Sequence, residues 1–138
     1  MTGILIVTHG DFAKGIVNGM ELICGPQKQV ETLSLVIQDD VEVFAQQVRE
    51  KAKELDTGDG VLILVDFMSG SPANVVGRFI LSEEKMEGIA GLNFPMLLEA
   101  VNSRDSMDVH ELAESCLAMG SMGIMDIKKR LQELQEED

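Results

Sequence analysis

Val61-Leu62-Ile63-Leu64-Val65-Asp66 is a run of five aliphatic residues that ends on a carboxylate. An apolar stretch of this length without polar alternation predicts a strand buried on both faces, the habit of a parallel sheet covered by helices on each side. It is expected at the sheet centre. The residues after it fit a helix entry: a short loop, Phe67 to Gly70, then Ser71 as N-cap and Pro72 as the first helical residue. Val75, Val76, Phe79 and Ile80 would form the buried stripe of that helix.

The same strand-then-helix unit recurs on either side. Upstream, Gly3 to Val7 (GILIV) reads as a second fully buried strand and leads into the polar turn Thr8-His9-Gly10-Asp11. Phe12, Ile16, Met20 and Ile23 then recur at helical spacing until Gly25-Pro26 stops the helix. Leu33, Leu35 and Ile37 predict a strand with one better-buried face, and Asp39 or Asp40 caps a helix with the stripe Val41, Phe44, Val48, Ala52 and Leu55. Downstream, Met86 to Leu92 reads as a weaker strand interrupted by Gly88 and Gly91, and Pro95 opens a helix through Leu97, Leu98 and Val101. A last capped helix starts near Asp108, carries Leu112, Cys116 and Met119, and is expected to break at Gly120, ahead of the apolar stretch Ile124 to Ile127.

Strand and helix in alternation predict an α/β fold: a doubly wound, mostly parallel sheet with helices on both faces and right-handed crossovers. The 138 residues suit one domain, placed at 1–130, with an acidic tail at 131–138 whose conformation the pattern leaves open. Acidic residues outnumber basic ones 24 to 11, a net charge of −13 that repels nucleic acid and anionic lipid and favours protein partners with a basic patch. The N-terminus lacks the basic start and long apolar stretch of a signal peptide, and no run approaches the roughly 20 apolar residues of a membrane span, so a cytoplasmic protein is expected. Cys24 and Cys116 are then reduced, packed thiols. Two histidines and two separated cysteines do not make a metal site, and no cofactor is expected.

In open parallel sheets ligands bind beyond the carboxyl ends of the strands, where neighbouring connections leave to opposite faces. His9 and Asp66 both lie at such ends. If their strands are neighbours, a spacing of about 4.8 Å brings the two side chains within hydrogen-bonding reach. A carboxylate on one ring nitrogen fixes the tautomer and leaves the other nitrogen as a nucleophile. Two helix N-termini, after Gly10 and at Ser71, would offer backbone N–H groups to a phosphate. Ser69, Gly70 and Ser71 are small enough to let amides approach an anion, and Thr8 could add its hydroxyl. Each residue singly also fits an ordinary turn or cap; the pairing of His9 with Asp66 is what points to chemistry. His110, in the first turn of a helix beside Asp108 and Glu111, reads as a solvated surface residue.

Three segments, GILIVTHGDFAKG, VLILVDFMSGSPAN and GLNFPMLLEAV, resemble in order and separation the enzyme IIA domain of the mannose class of the bacterial sugar phosphotransferase system. The resemblance covers the whole chain. It implies that His9 takes a phosphoryl group from the carrier protein HPr and passes it to a IIB component, with the membrane sugar permease involved only downstream. It implies that Asp66 hydrogen-bonds the active histidine and that Ser71 and nearby amides hold the phosphate. It also implies a homodimer in which a last strand crosses between subunits, a purpose for Ile124 to Ile127. Met68-Ser69 stands where one member of that family has Trp-Gly, so a different loop rim is expected. The alternatives are the phosphotransferase subunit of a dihydroxyacetone kinase, a non-catalytic regulatory domain and a nucleotide- or flavin-binding domain. Against the last, the chain has no GxGxxG or GxxxxGK[ST] loop and no Tyr or Trp.

Overall fold

A computed structural model describes residues 1–137. Strand β1 (Gly3–His9) leads to helix α1 (Phe12–Cys24), β2 (Val30–Leu35) to α2 (Val41–Leu55), β3 (Val61–Val65) to α3 (Ser71–Gly77), and β4 (Met86–Ala90) to α4 (Phe94–Ser103). Helices α5 (Val109–Met122) and α6 (Ile127–Glu136) follow, and a single 3-10 turn, Ile80–Ser82, precedes β4. Among the described residues the strands form one parallel sheet in the order β2-β1-β3-β4.

Alternation along the two central strands divides the core in two. Leu5, Val7, Ile63 and Val65 face Phe44 and Val48 of α2 and Val75 and Val76 of α3. Ile4, Ile6, Leu62 and Leu64 face Met20 of α1, Leu97 of α4 and Leu112 of α5. Leu62, Ile63 and Leu64 are all fully buried, so each contributes about 1.5–3 kcal/mol. Truncating Leu64 to alanine would cost about 2–5 kcal/mol. The arrangement also places the site: α1 leaves β1 toward one face and α3 leaves the adjacent β3 toward the other. The crevice at that reversal lies beyond His9.

Several local expectations need correction. The buried line of α1 is not Phe12, Ile16, Met20 and Ile23 but Ala13 and Met20, with Ile16, Val17 and Cys24 half-buried beside them. Phe12 is half exposed and Ile23 mostly so. Adjacent apolar pairs let the period be read on either of two neighbouring lines, and the Thr8 hydroxyl, which accepts from the Ala13 N–H at 2.9 Å, selects the second. Strand β2 ends at Leu35 and leaves Ile37 fully exposed, because Asp39 accepts from the Val36 N–H and turns the chain. Asp40 then caps α2 through the Glu42 and Val43 N–H groups. Gly70, not Ser71, is the N-cap of α3, which puts Pro72 second in the helix.

Gly120 does not break α5, which continues to Met122. Its missing side chain instead lets α5 approach α4: a methyl there would stand 2.8 Å from Met96 Cε, and its carbonyl accepts from Asn93 Nδ2 at 2.9 Å. Ile124 to Asp126 form no strand within the chain, and Ile127 opens α6, which runs on past residue 130 through most of the tail. Residue 138 of that tail lies outside the described residues.

Candidate active site at the carboxyl edge of the sheet

His9 is the last residue of β1 and Asp66 the first beyond β3; parallel pairing, with Val7 opposite Val65, makes them neighbours 57 residues apart in sequence. Asp66 Oδ2 lies 2.7 Å from His9 Nδ1 and also accepts the His9 backbone N–H at 3.0 Å. Asp66 Oδ1 accepts the Phe67 N–H at 3.1 Å. Partial burial pushes the Asp66 carboxyl up, but the backbone and ring hydrogen bonds from His9, together with the Phe67 N–H, outweigh it and hold the group below the ordinary carboxylate range. An ionised Asp66 has no proton to give, so Nδ1 carries a hydrogen, and in the neutral tautomer this selects, Nε2 is the nitrogen with the lone pair. The His9 side chain is 45% exposed and Asp66 only 16%, an open imidazole on a sheltered support.

The loop after β3 closes on the other edge of the imidazole. A methyl added at Gly70 would stand 2.5 Å from His9 Cε1 and 3.2 Å from Nε2, so only glycine lets the backbone come this near the ring. Ser71 and His9 share the wall of an open groove of about 640 Å³ whose far side is the Val36–Asp39 turn. In the first turn of α3 the Asn74 N–H is taken by the Gly70 carbonyl and Pro72 has no N–H, which leaves the Ser71 and Ala73 amides as donors.

The remaining candidates fall elsewhere. Thr8 is fully buried, its hydroxyl accepting from Ala13 N–H and donating to the His9 carbonyl, so it serves the start of α1 and not a phosphate. The Gly10 N–H donates to the Leu35 carbonyl at 2.8 Å; its contribution is the left-handed turn, φ 53°, between β1 and α1. Ser69 stands exposed in the loop. Among the described residues no three His, Cys, Asp or Glu side chains gather as a metal set. Cys116 and Cys24 are free thiols, and burial, with the Glu99 charge, pushes Cys116 up to about 12. Sequence reasoning missed Phe67, whose ring lies against His9 with centroids 5.3 Å apart; an exposed aromatic in a loop carries no periodic signal.

Fold and site together define a class: an open parallel α/β protein that presents a carboxylate-backed, solvent-open histidine at its topological switch point. A family model described as PTS system fructose IIA component, EIIA-man, matches residues 3–117, where PTS denotes the phosphotransferase system. The chain is 34% identical over 128 residues to the PTS mannose-specific EIIAB component of Escherichia coli K12, a match covering 92% of this chain and 40% of that protein. It is 24% identical over 135 residues to the PTS fructose-specific EIIA component of Bacillus subtilis 168, with 98% and 92% covered. The crystal structure of a PTS EIIA component from Streptococcus agalactiae superposes with a TM-score of 0.86 at 29% identity, covering 94% of this chain and 99% of that one. The chain belongs to the mannose-class enzyme IIA family of the phosphotransferase system. Members of this family are phosphotransferases that relay phosphate through a histidine.

Proposed function

We propose that His9 is the phosphoryl-carrying residue of this protein and that Nε2 is the atom that bonds phosphorus. The 2.7 Å contact between His9 Nδ1 and Asp66 carries this reading. Phospho-HPr is the donor and a IIB component the acceptor in a sugar-uptake system of the cytoplasm, with the membrane permease downstream. As the transferring phosphorus–nitrogen bond breaks in the donor, a new one forms at Nε2. Asp66 keeps the Nδ1 proton in place and balances the positive charge the ring acquires. The Ser71 hydroxyl and the Ser71 and Ala73 amides are placed to hold the phosphoryl oxygens, with Gly70 clearing the approach and Ser69 at the rim. The open groove supports a carrier that must meet two protein partners in turn.

Residues 1–130 are the carrier domain in this reading and 131–138 its acidic extension. A homodimer belongs to the same reading. Its support is the apolar line Ile124, Met125, Ile127, Leu131 and Leu134, which stays exposed among the described residues. Sedimentation velocity should show a dimer that an Ile127→Asp, Leu131→Asp variant dissociates; a monomeric wild type would remove the assignment. For the carrier itself, incubation with phosphoenolpyruvate, enzyme I and HPr should add one acid-labile phosphoryl group to the intact chain. His9→Ala should take up none and His110→Ala should behave as wild type. Uptake by His9→Ala, or none by the wild type, would defeat the reading.

A further inference from the structure

We infer that Phe67 is a positioning residue for the transfer, whose ring seats the His9 imidazole and stabilises the positive charge that imidazole takes up on phosphorylation. This rests on the carrier reading of His9. Phe67 is 50% exposed and belongs to neither core cluster, so burial does not explain an aromatic here. Its ring centroid lies 5.3 Å from that of His9, with the planes tilted by 31°. One carboxylate sets both groups: Asp66 Oδ1 accepts the Phe67 N–H and Asp66 Oδ2 faces His9 Nδ1. A methyl at Gly70 would meet His9 Cε1 at 2.5 Å and Phe67 Cε1 at 2.9 Å, so the two rings close together over that glycine. The imidazole is therefore bounded by Asp66 at Nδ1, by Gly70 along its Cε1–Nε2 edge and by Phe67 across its tilted face.

The charge balance gives the aromatic its role. The reacting form of the His9 ring carries a hydrogen on Nδ1 and a lone pair on Nε2. The Nε2 lone pair forms the new bond to phosphorus, the donor nitrogen recovers the electron pair of the bond that breaks, and no proton moves. The His9 ring is then formally cationic while the donor ring has become neutral. An aromatic π-system within about 6 Å of a cation attracts it, and at a half-exposed position this corresponds to about a two- to fivefold shift in an equilibrium. Phe67 acts on one side of the transfer only, the phosphorylated side, and so biases the group toward this protein.

The test is the transfer equilibrium. Wild type, Phe67→Leu, Phe67→Met and Phe67→Tyr proteins are each mixed with a fixed ratio of phosphorylated to free HPr, and the phosphorylated fraction is read by intact mass. Phe67→Leu and Phe67→Met keep an apolar side chain without a π-face and should lower the equilibrium constant about two- to fivefold. Phe67→Tyr should match wild type. An unchanged constant in the Leu and Met variants, or an equal fall in all three, would overturn the proposal while leaving His9 as carrier. A wild type that takes up no phosphoryl group would overturn both.

Discussion

His9 and His110 each meet a carboxylate through Nδ1 at 2.7 Å, Asp66 in one case and Glu87 in the other. The first pair stands at the carboxyl ends of β1 and β3. The second joins the first turn of α5 to the start of β4 at the amino edge of the sheet, beside a cavity of about 410 Å³ bordered by Asp59, Lys85 and Arg104. Asp66 is sheltered and also holds the His9 and Phe67 backbone N–H groups, whereas Glu87 is 40% exposed. Around His9 the chain adds Gly70, Phe67 and the start of α3. Around His110 it adds more acid: the Glu87 hydrogen bond raises the His110 pKa against slight desolvation, and the charges of Glu87, Asp108 and Glu84 add to it. A histidine–carboxylate contact is thus not a site by itself. What sets the His9 pair apart is a sheltered support on one nitrogen and a glycine approach at the other.

The comparison breaks most sharply at Gly70. Gly70→Ala drives a methyl into the imidazole edge, and a displaced ring should slow phosphorylation by about 100-fold; a rate near wild type would show that the close approach has no consequence. Next is the pair of amide substitutions. Asp66→Asn loses the charge that fixes the tautomer and should slow transfer about 10- to 100-fold, while Glu87→Gln should leave the rate unchanged. Equal effects would erase the distinction between the two histidines.

The smallest effects concern pH. A carboxyl held below its ordinary range contributes stability that is present above its unfolded pKa and is lost as pH falls through its folded value. Asp66→Asn should therefore flatten the acid loss of stability below about pH 4. His110 runs the other way. Its raised pKa contributes stability below its ordinary value near 6.5, lost as pH rises through the higher folded value. Urea midpoints between about pH 6 and 9 should fall more in wild type than in His110→Gln, and parallel curves would show the Glu87 contact to be idle.

The active edge was more legible in the sequence than the molecule's flanks. GILIV and VLILV read as strands buried on both faces, so their ends were legible, and once the structure makes the two neighbours, sheet geometry brings His9 to Asp66. Gly70 was readable as a small residue near an anion, but not as the floor beneath two rings. What periodicity could not settle were positions where neighbouring residues compete for one face, as Phe12 and Ala13 do, and contacts made across the fold. The Glu87 partner of His110 and the close approach at Gly120 belong to the second kind, since no local pattern records which helix or strand will lie alongside. Ile124 to Ile127 stayed open for a third reason: three apolar residues with Asp126 among them, next to a charged helical stretch, do not distinguish a strand from a helix start.

The carrier mechanism turns on which atom bonds phosphorus. Nitrogen-15 NMR of the ring-labelled, phosphorylated protein reads this directly through phosphorus–nitrogen coupling. Coupling to Nε2 of His9 is expected, with a hydrogen retained on Nδ1 against Asp66. Coupling to Nδ1 of His9, or to either nitrogen of His110, would contradict it.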